Sequence, residues 1–281
     1  MKPKETINLY RVISLLVIAL VTFGVMGGLG SKSRLYPDEW LSMFFLTLIF
    51  LLVCMFELEY ERKQKGISAN TQTTFIRLSV TYTVSGGLIY AISYLPEFYR
   101  PVMIPVILLT AVSNSMVAVS FGLFFDLVLA LTVGGSFYAL AAYMMLTMLA
   151  AVLAQALKEK KYRMGVSLLT FFFSLMIPEL FSYLSTKEMQ KYSLLYAFGT
   201  AFLTFLTAAF LFHRLLHEAD QEIENHLLDI VSEDYSEVKA LKDFSMVEYR
   251  HAVKVSDIAC RCAKEVGYRA NLCLAGGFYY R

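Results

Sequence analysis

Charge is what this sequence has least of. Asp, Glu, Lys and Arg together make up 17% of its 281 residues, against 57% hydrophobic residues and a mean hydropathy of +0.56. That balance excludes a single soluble core, so most of the chain has to face lipid. Cysteine is also scarce. Cys54 sits in an apolar run, while Cys260, Cys262 and Cys273 cluster in a polar tail, which excludes a secreted disulfide framework and fits a reducing, cytoplasmic tail. Gly-rich phosphate loops, nucleophile elbows and HExxH stretches are missing. The acidic tail carries no basic patch, so no nucleic-acid polymer is expected as a partner.

What is present is a succession of apolar runs at 12–30, 40–56, 75–95, 102–134, 136–157, 164–184 and 192–212. Each is about the 20 residues that a membrane helix needs, except 102–134, which is too long and holds the polar turn signal Ser113, Asn114, Ser115. Splitting that run predicts about eight spans. Loop charges choose the same parity. With both termini cytoplasmic, Lys2, Lys4, Arg11, Arg62, Lys63, Lys65, Arg77, Lys158, Lys160, Lys161, Arg163 and Arg214 lie inside and Lys32, Arg34, Arg100, Lys187 and Lys191 outside, twelve against five. The N-terminal basic residues ahead of a long apolar run suggest an uncleaved anchor rather than a signal peptide, since Gly27, Gly28 and Gly30 make a weak cleavage site. The expected loops outside are too short for a folded sensor domain.

After Arg214 the composition changes: residues 217–281 hold twelve acidic and eight basic side chains and read as soluble helix. Ile223, Leu227, Ile230 and Val231 form a helical stripe continuing from the last span, as a signal-transmitting stalk would. Ser245 and Glu248 form a capping box. Val255, Ile258, Ala259, Cys262, Ala263 and Val266 follow at helical spacing, and Gly267 supplies the left-handed stop. A further helix is predicted over 270–280. The expected organisation is therefore an anchor helix and short outer loop (1–39), a seven-span membrane domain (40–214) and a cytoplasmic region (215–281), all-α throughout.

The order of residues in the tail carries a resemblance. His251, Asp257, Ile258 and Ala259, then Ala263, Gly267, Leu272 and the run Gly276, Gly277, Phe278, Tyr279, Tyr280, Arg281 are similar to the start of an HD phosphohydrolase domain. More narrowly, the chain resembles the bacterial seven-transmembrane HD family of membrane phosphohydrolases, whose known members hydrolyse cyclic di-AMP. The resemblance implies a first metal-ligating His followed about thirty residues later by an adjacent His-Asp pair, together binding two divalent metals such as Mn or Fe. His251 matches the first ligand, and Tyr280 and Arg281 stand where the pair belongs. Divalent cations need imidazole or carboxylate donors, so no catalytic residue and no bound metal are expected, and Arg281 would add positive charge where cations should sit. The sequence also stops before the later helices of such a domain and lacks the family's outer domain between the first two spans. The implied reading is a partial HD-like domain, catalytically inactive, with a regulatory role linked to a cyclic dinucleotide. It would sit in the cell membrane, as one copy or as a homo-oligomer.

The alternative reading is a transporter-like or scaffolding membrane protein. Its candidates are Asp126 and Glu179, ionisable groups well inside predicted spans, where a lone charge is costly. Asp126 either marks a ligand or proton path or pairs within the bundle. Glu179 follows Pro178, which loosens the helix and favours structural pairing. His213 and His217, four apart on one helix face, read as headgroup-level residues rather than chelators. Cys260 and Cys262, two apart, point to different faces and read as small buried residues, not a zinc pair. Tyr10, Tyr36, Trp40, Tyr94, Phe98, Tyr99, Tyr162, Tyr183 and Tyr192 read as interfacial aromatic belts.

Overall fold

The computed structural model describes residues 9–33, 35–65, 72–133, 135–188 and 192–280. Lys2, Lys4, Arg34, Lys191 and Arg281 lie outside them, as do the side chains of Arg62, Lys65 and Ile223. Among the described residues the regular structure is helical and contains no strand. Seven helices are long and apolar enough to cross a membrane, so the chain is an all-α, multi-pass membrane protein. Its residues fall into two compact units, divided between Leu216 and His217.

In the first unit α1 covers Leu9–Ser33, α2 Pro37–Lys65, α3 Gln72–Ile92, α4 Met103–Val112, α5 Ser115–Thr132, α6 Phe137–Leu157, α7 Arg163–Thr186 and α8 Ser193–Leu206. A π-helical turn, Thr207–Leu211, joins α8 to α9, Phe212–Asp229. The long apolar run breaks where its polar turn signal stands. Ser113 and Asn114 are extended, ending α4 and opening α5. The two halves are unequal, ten residues in α4 against eighteen in α5. At ten residues, α4 reaches about 15 Å, half of a bilayer's hydrocarbon core.

Polar contacts nevertheless sort into two ends. At one end Arg11 of α1 pairs with Glu59 of α2, Ser113 donates to Glu61 at 2.6 Å, Gln155 of α6 donates to Ser115 at 2.7 Å, and Arg163 meets His213 at 2.6 Å. At the other, Lys32 of α1 donates to the Ser93 carbonyl at 3.0 Å and the Ser136 amide donates to Glu97. The chain therefore runs between the ends eight times, seven times on a full-length helix and once through α4 with its lead-in, which holds a 3₁₀ turn at Glu97–Tyr99.

Small residues set the helix spacing. Ala139, Ala142, Ala150, Ala151 and Ala154 of α6 are buried, and Gly122 of α5 sits so close to α6 that a Cβ there would lie 2.5 Å from Thr147 Cγ2. Close backbone approach of this kind holds helices together where lipid supplies no hydrophobic drive. Hydroxyl pairs add to it between α1 and α3, Thr22 to Tyr82 at 2.6 Å and Ser79 to Ser14 at 2.9 Å. α1 thus packs against α3 within the bundle. Outward-facing Leu20 and Phe56 are 71% and 73% exposed, as lipid-facing residues are.

The second unit comprises the rest of α9 with α10 (Ser236–Phe244), α11 (Met246–Val266) and α12 (Ala270–Phe278). The expected cap forms at Ser245, whose Oγ accepts the Glu248 amide at 3.3 Å. The Ser245 amide also closes α10 onto the Leu241 carbonyl at 2.9 Å. Gly267 ends α11 with φ 73°, and α12 ends two residues short of the predicted 280. The buried face of α11 is Ser256, Cys260 and Ala263; Ile258 and Val266 face outward, which rotates the face from the one expected.

Candidate functional site

His251 lies in the second turn of α11, placed by the Ser245 cap. The end of α12 reaches it because Gly277 lets the two helices touch. A Cβ at Gly277 would stand 3.0 Å from Ser256 Cα and 3.1 Å from Ala259 Cβ. Ser256 also donates to the Leu274 carbonyl at 2.8 Å, and Tyr279 to the Ile230 carbonyl at 2.5 Å. His251 and Tyr280, distant in sequence, consequently line one groove of about 420 Å³ with Glu237, Glu248, Val255 and Phe278.

Beside the groove, Lys242 and Tyr249 both donate to Glu233 at 3.1 Å. The Lys242 hydrogen bond, then that of Tyr249, holds the Glu233 carboxyl below its usual range. Burial first, and then Glu233, raises the Tyr249 phenol; burial and the nearby Tyr235 and Glu237 raise Tyr279.

A two-metal centre does not fit these residues. His251 is the one imidazole of the groove and a phenol stands at Tyr280, while Arg281 lies outside the described residues. Among the described residues no three His, Cys, Asp or Glu side chains gather where they could hold a metal ion. The groove offers aromatic faces, one imidazole and two carboxylates.

In the membrane unit Asp126 is 1% exposed; its Oδ2 accepts the Thr147 hydroxyl at 2.6 Å and its Oδ1 has no partner. Glu179 lies on α7 beyond Pro178 and accepts from the Tyr99 hydroxyl at 3.5 Å. The structure does not bring Asp126, Glu179 and His251 into one site: the first two have separate partners and the third belongs to the other unit.

A third set went unrecognised in the sequence. The lead-in to α4, from Pro96 to Val102, folds into the bundle instead of lying in an outer loop. Phe98, Tyr99 and Arg100 are 7%, 3% and 3% exposed, which removes Arg100 from the loop charges and Phe98 and Tyr99 from the interfacial belt. Tyr143 of α6 donates to the Glu97 carbonyl and accepts from Arg100 at 3.1 Å, and Arg100 Nε donates to the Leu95 carbonyl at 3.4 Å. Backbone that leaves the α-helical ladder, as in the 3₁₀ turn Glu97–Tyr99 and its flanks, needs such enclosure wherever lipid replaces water. The legible signal was the pairing of Pro96 and Pro101 around Arg100, followed by an apolar stretch too short to span before Ser113.

The remaining candidates keep ordinary roles. His213 meets Arg163, and His217 faces Gln221 at 3.3 Å. Cys260 is buried but Cys262 is exposed, which corrects the expectation that both are small buried residues: two positions apart on α11, they lie on different faces and only one of these packs. Comparison with family models, with curated proteins and with solved structures finds no match to this chain.

Proposed function

We propose that this protein is a membrane-embedded homologue of the seven-transmembrane HD phosphohydrolases that binds a cyclic dinucleotide without hydrolysing it, and so regulates rather than degrades. One observation carries the reading: His251 and Tyr280 line the same groove. The resemblance places the first metal ligand at one of these positions and the start of the His-Asp pair at the other. Their meeting in space supports an HD-like arrangement, and the phenol at Tyr280 argues against metal chemistry there.

The test is calorimetric titration of the detergent-solubilised full chain with cyclic di-AMP and Mn²⁺, run beside a product assay. Binding without turnover, weakened by His251→Ala, is expected. Turnover that His251→Ala abolishes would overturn inactivity, and absence of binding would remove the dinucleotide. The same reading sets both termini in the cytoplasm of a cell-membrane protein, so a reporter fused after residue 281 should be active inside and silent outside.

The transporter-like reading rests on a different observation. Short, Pro-interrupted helices that end inside a bundle commonly surround transported solutes, and α4 with its lead-in has that form. Uptake of solute by reconstituted vesicles, abolished by changes in residues 96–101 but not at His251, would favour it.

A further inference from the structure

We propose that the furrow between α2 and α6 binds one phospholipid with a primary-ammonium headgroup, whose charge meets Glu57. α2 and α6 both pack on α5, which floors the furrow between them. Glu57 stands on α2 one turn before Glu61. Its Oε1 accepts the Ser120 hydroxyl of α5 at 2.8 Å, while its Oε2 is enclosed and has no hydrogen-bond partner. No Lys, Arg or His among the described residues pairs with it. A carboxylate within a membrane span needs a cation or a donor beside it, because lipid supplies neither water nor counter-ions.

Three adjoining grooves supply the space. One of about 550 Å³ lies on the α2 side of Glu57 with Tyr60 and Asn114, and one of about 300 Å³ on the α6 side with Ser115 and Gln155. A third, of about 360 Å³, shares Val53 with the first and Ser120 with the second, and carries the furrow along Ile49, Leu123 and Met144 toward the other end of the bundle. Polar groups thus gather at the end where Ser113 meets Glu61 and the remainder is apolar, which is the division of head and chain in a lipid. Neither Lys nor Arg lines any of the three, which disfavours an anionic headgroup. Glu57 Oε2 and the Asn114 amide oxygen, held only by Ser115 at 3.3 Å, instead suit the three N–H donors of a primary ammonium. The occupant is a lipid and not a soluble amine because Val53, Phe56 and Val152 along the walls are exposed on the lipid-facing surface, so the furrow opens sideways into the bilayer. Met116, which lines both grooves beside Glu57, is exposed and unbranched and yields to an entering headgroup.

The experiment is native mass spectrometry of the delipidated full chain in detergent, titrated in turn with phosphatidylethanolamine, phosphatidylcholine and phosphatidylglycerol of matched acyl chains, and with a long-chain alkylamine. Wild type is expected to retain one phosphatidylethanolamine. Phosphatidylcholine, whose quaternary ammonium has no hydrogen to donate, and phosphatidylglycerol should bind at least about tenfold more weakly, as loss of a charge-assisted hydrogen bond implies. Glu57→Gln should bring phosphatidylethanolamine down to the same level. Ile49→Trp, which fills the third groove two turns from Glu57, should weaken all three lipids several-fold and keep their order. Wild type that holds no lipid or ranks the headgroups equally, or Glu57→Gln that keeps the preference, overturns the proposal, and binding unchanged in Ile49→Trp overturns the placement in the furrow. Alkylamine bound as tightly as the lipid, or a dimer that takes up no lipid, overturns the lipid as occupant in favour of a free amine or a second copy of the chain. Should Glu57→Gln not fold, the wild-type order of headgroups decides: phosphatidylethanolamine tightest supports the site, and any other order refutes it.

Discussion

Replacing Gly122 by Ala puts the packing account of the membrane unit at risk. The added methyl would lie 2.5 Å from Thr147 Cγ2 and 2.8 Å from Val106 Cγ2. α5 can relieve the clash in two ways. It can move away from α4 and α6, an overpacking strain of about 1–3 kcal/mol. Alternatively Thr147 can rotate, giving up its 2.6 Å bond to Asp126, whose other oxygen already lacks a partner. An unmet buried polar group costs about 1–3 kcal/mol. Either route gives a loss of about 1–3 kcal/mol. Thr147→Ser removes the offending methyl and keeps the hydroxyl, so the double variant should recover most of the loss. Gly24→Ala, with nothing within 4 Å of the new Cβ, should be neutral or slightly stabilising. Thermal unfolding in mild detergent, followed by the fluorescence of the single tryptophan, Trp40, measures all four. A Gly122→Ala protein as stable as wild type, or a double variant no better than the single, would refute the reasoning.

Three other outcomes are expected. Ser245→Ala should cost about 1 kcal/mol through loss of the α11 cap, read as faster amide exchange over residues 246–250. Glu233 has a folded-state pKa below its unfolded value near 4.3, so its contribution is present above that pH and lost as pH falls through the lower folded value. Exchange protection around Tyr249 should therefore weaken in acid in wild type and show no such transition in Glu233→Gln. In the native protein a maleimide should label Cys262 quickly and Cys54 and Cys260 slowly, following their exposure; the reverse order would contradict the packing of α2 and α11.

Much of this architecture is written in local patterns. An apolar run of about 20 residues cannot be satisfied in water, and in lipid it has to be a helix, so the long spans follow from composition alone. The break at Ser113 and Asn114 and the start and stop of α11 at Ser245 and Gly267 are equally local, because each depends on side chains within four residues. What tertiary structure decided is which polar residues are inside. Arg100 reads as a loop charge until α6 brings Tyr143 to it. Asp126 has no neighbour in sequence that predicts Thr147, and the rotation of α11 that turns Ile258 outward depends on where Gly277 lets α12 settle. Burial is a property of what packs opposite, and no spacing along one helix records the helix that will face it.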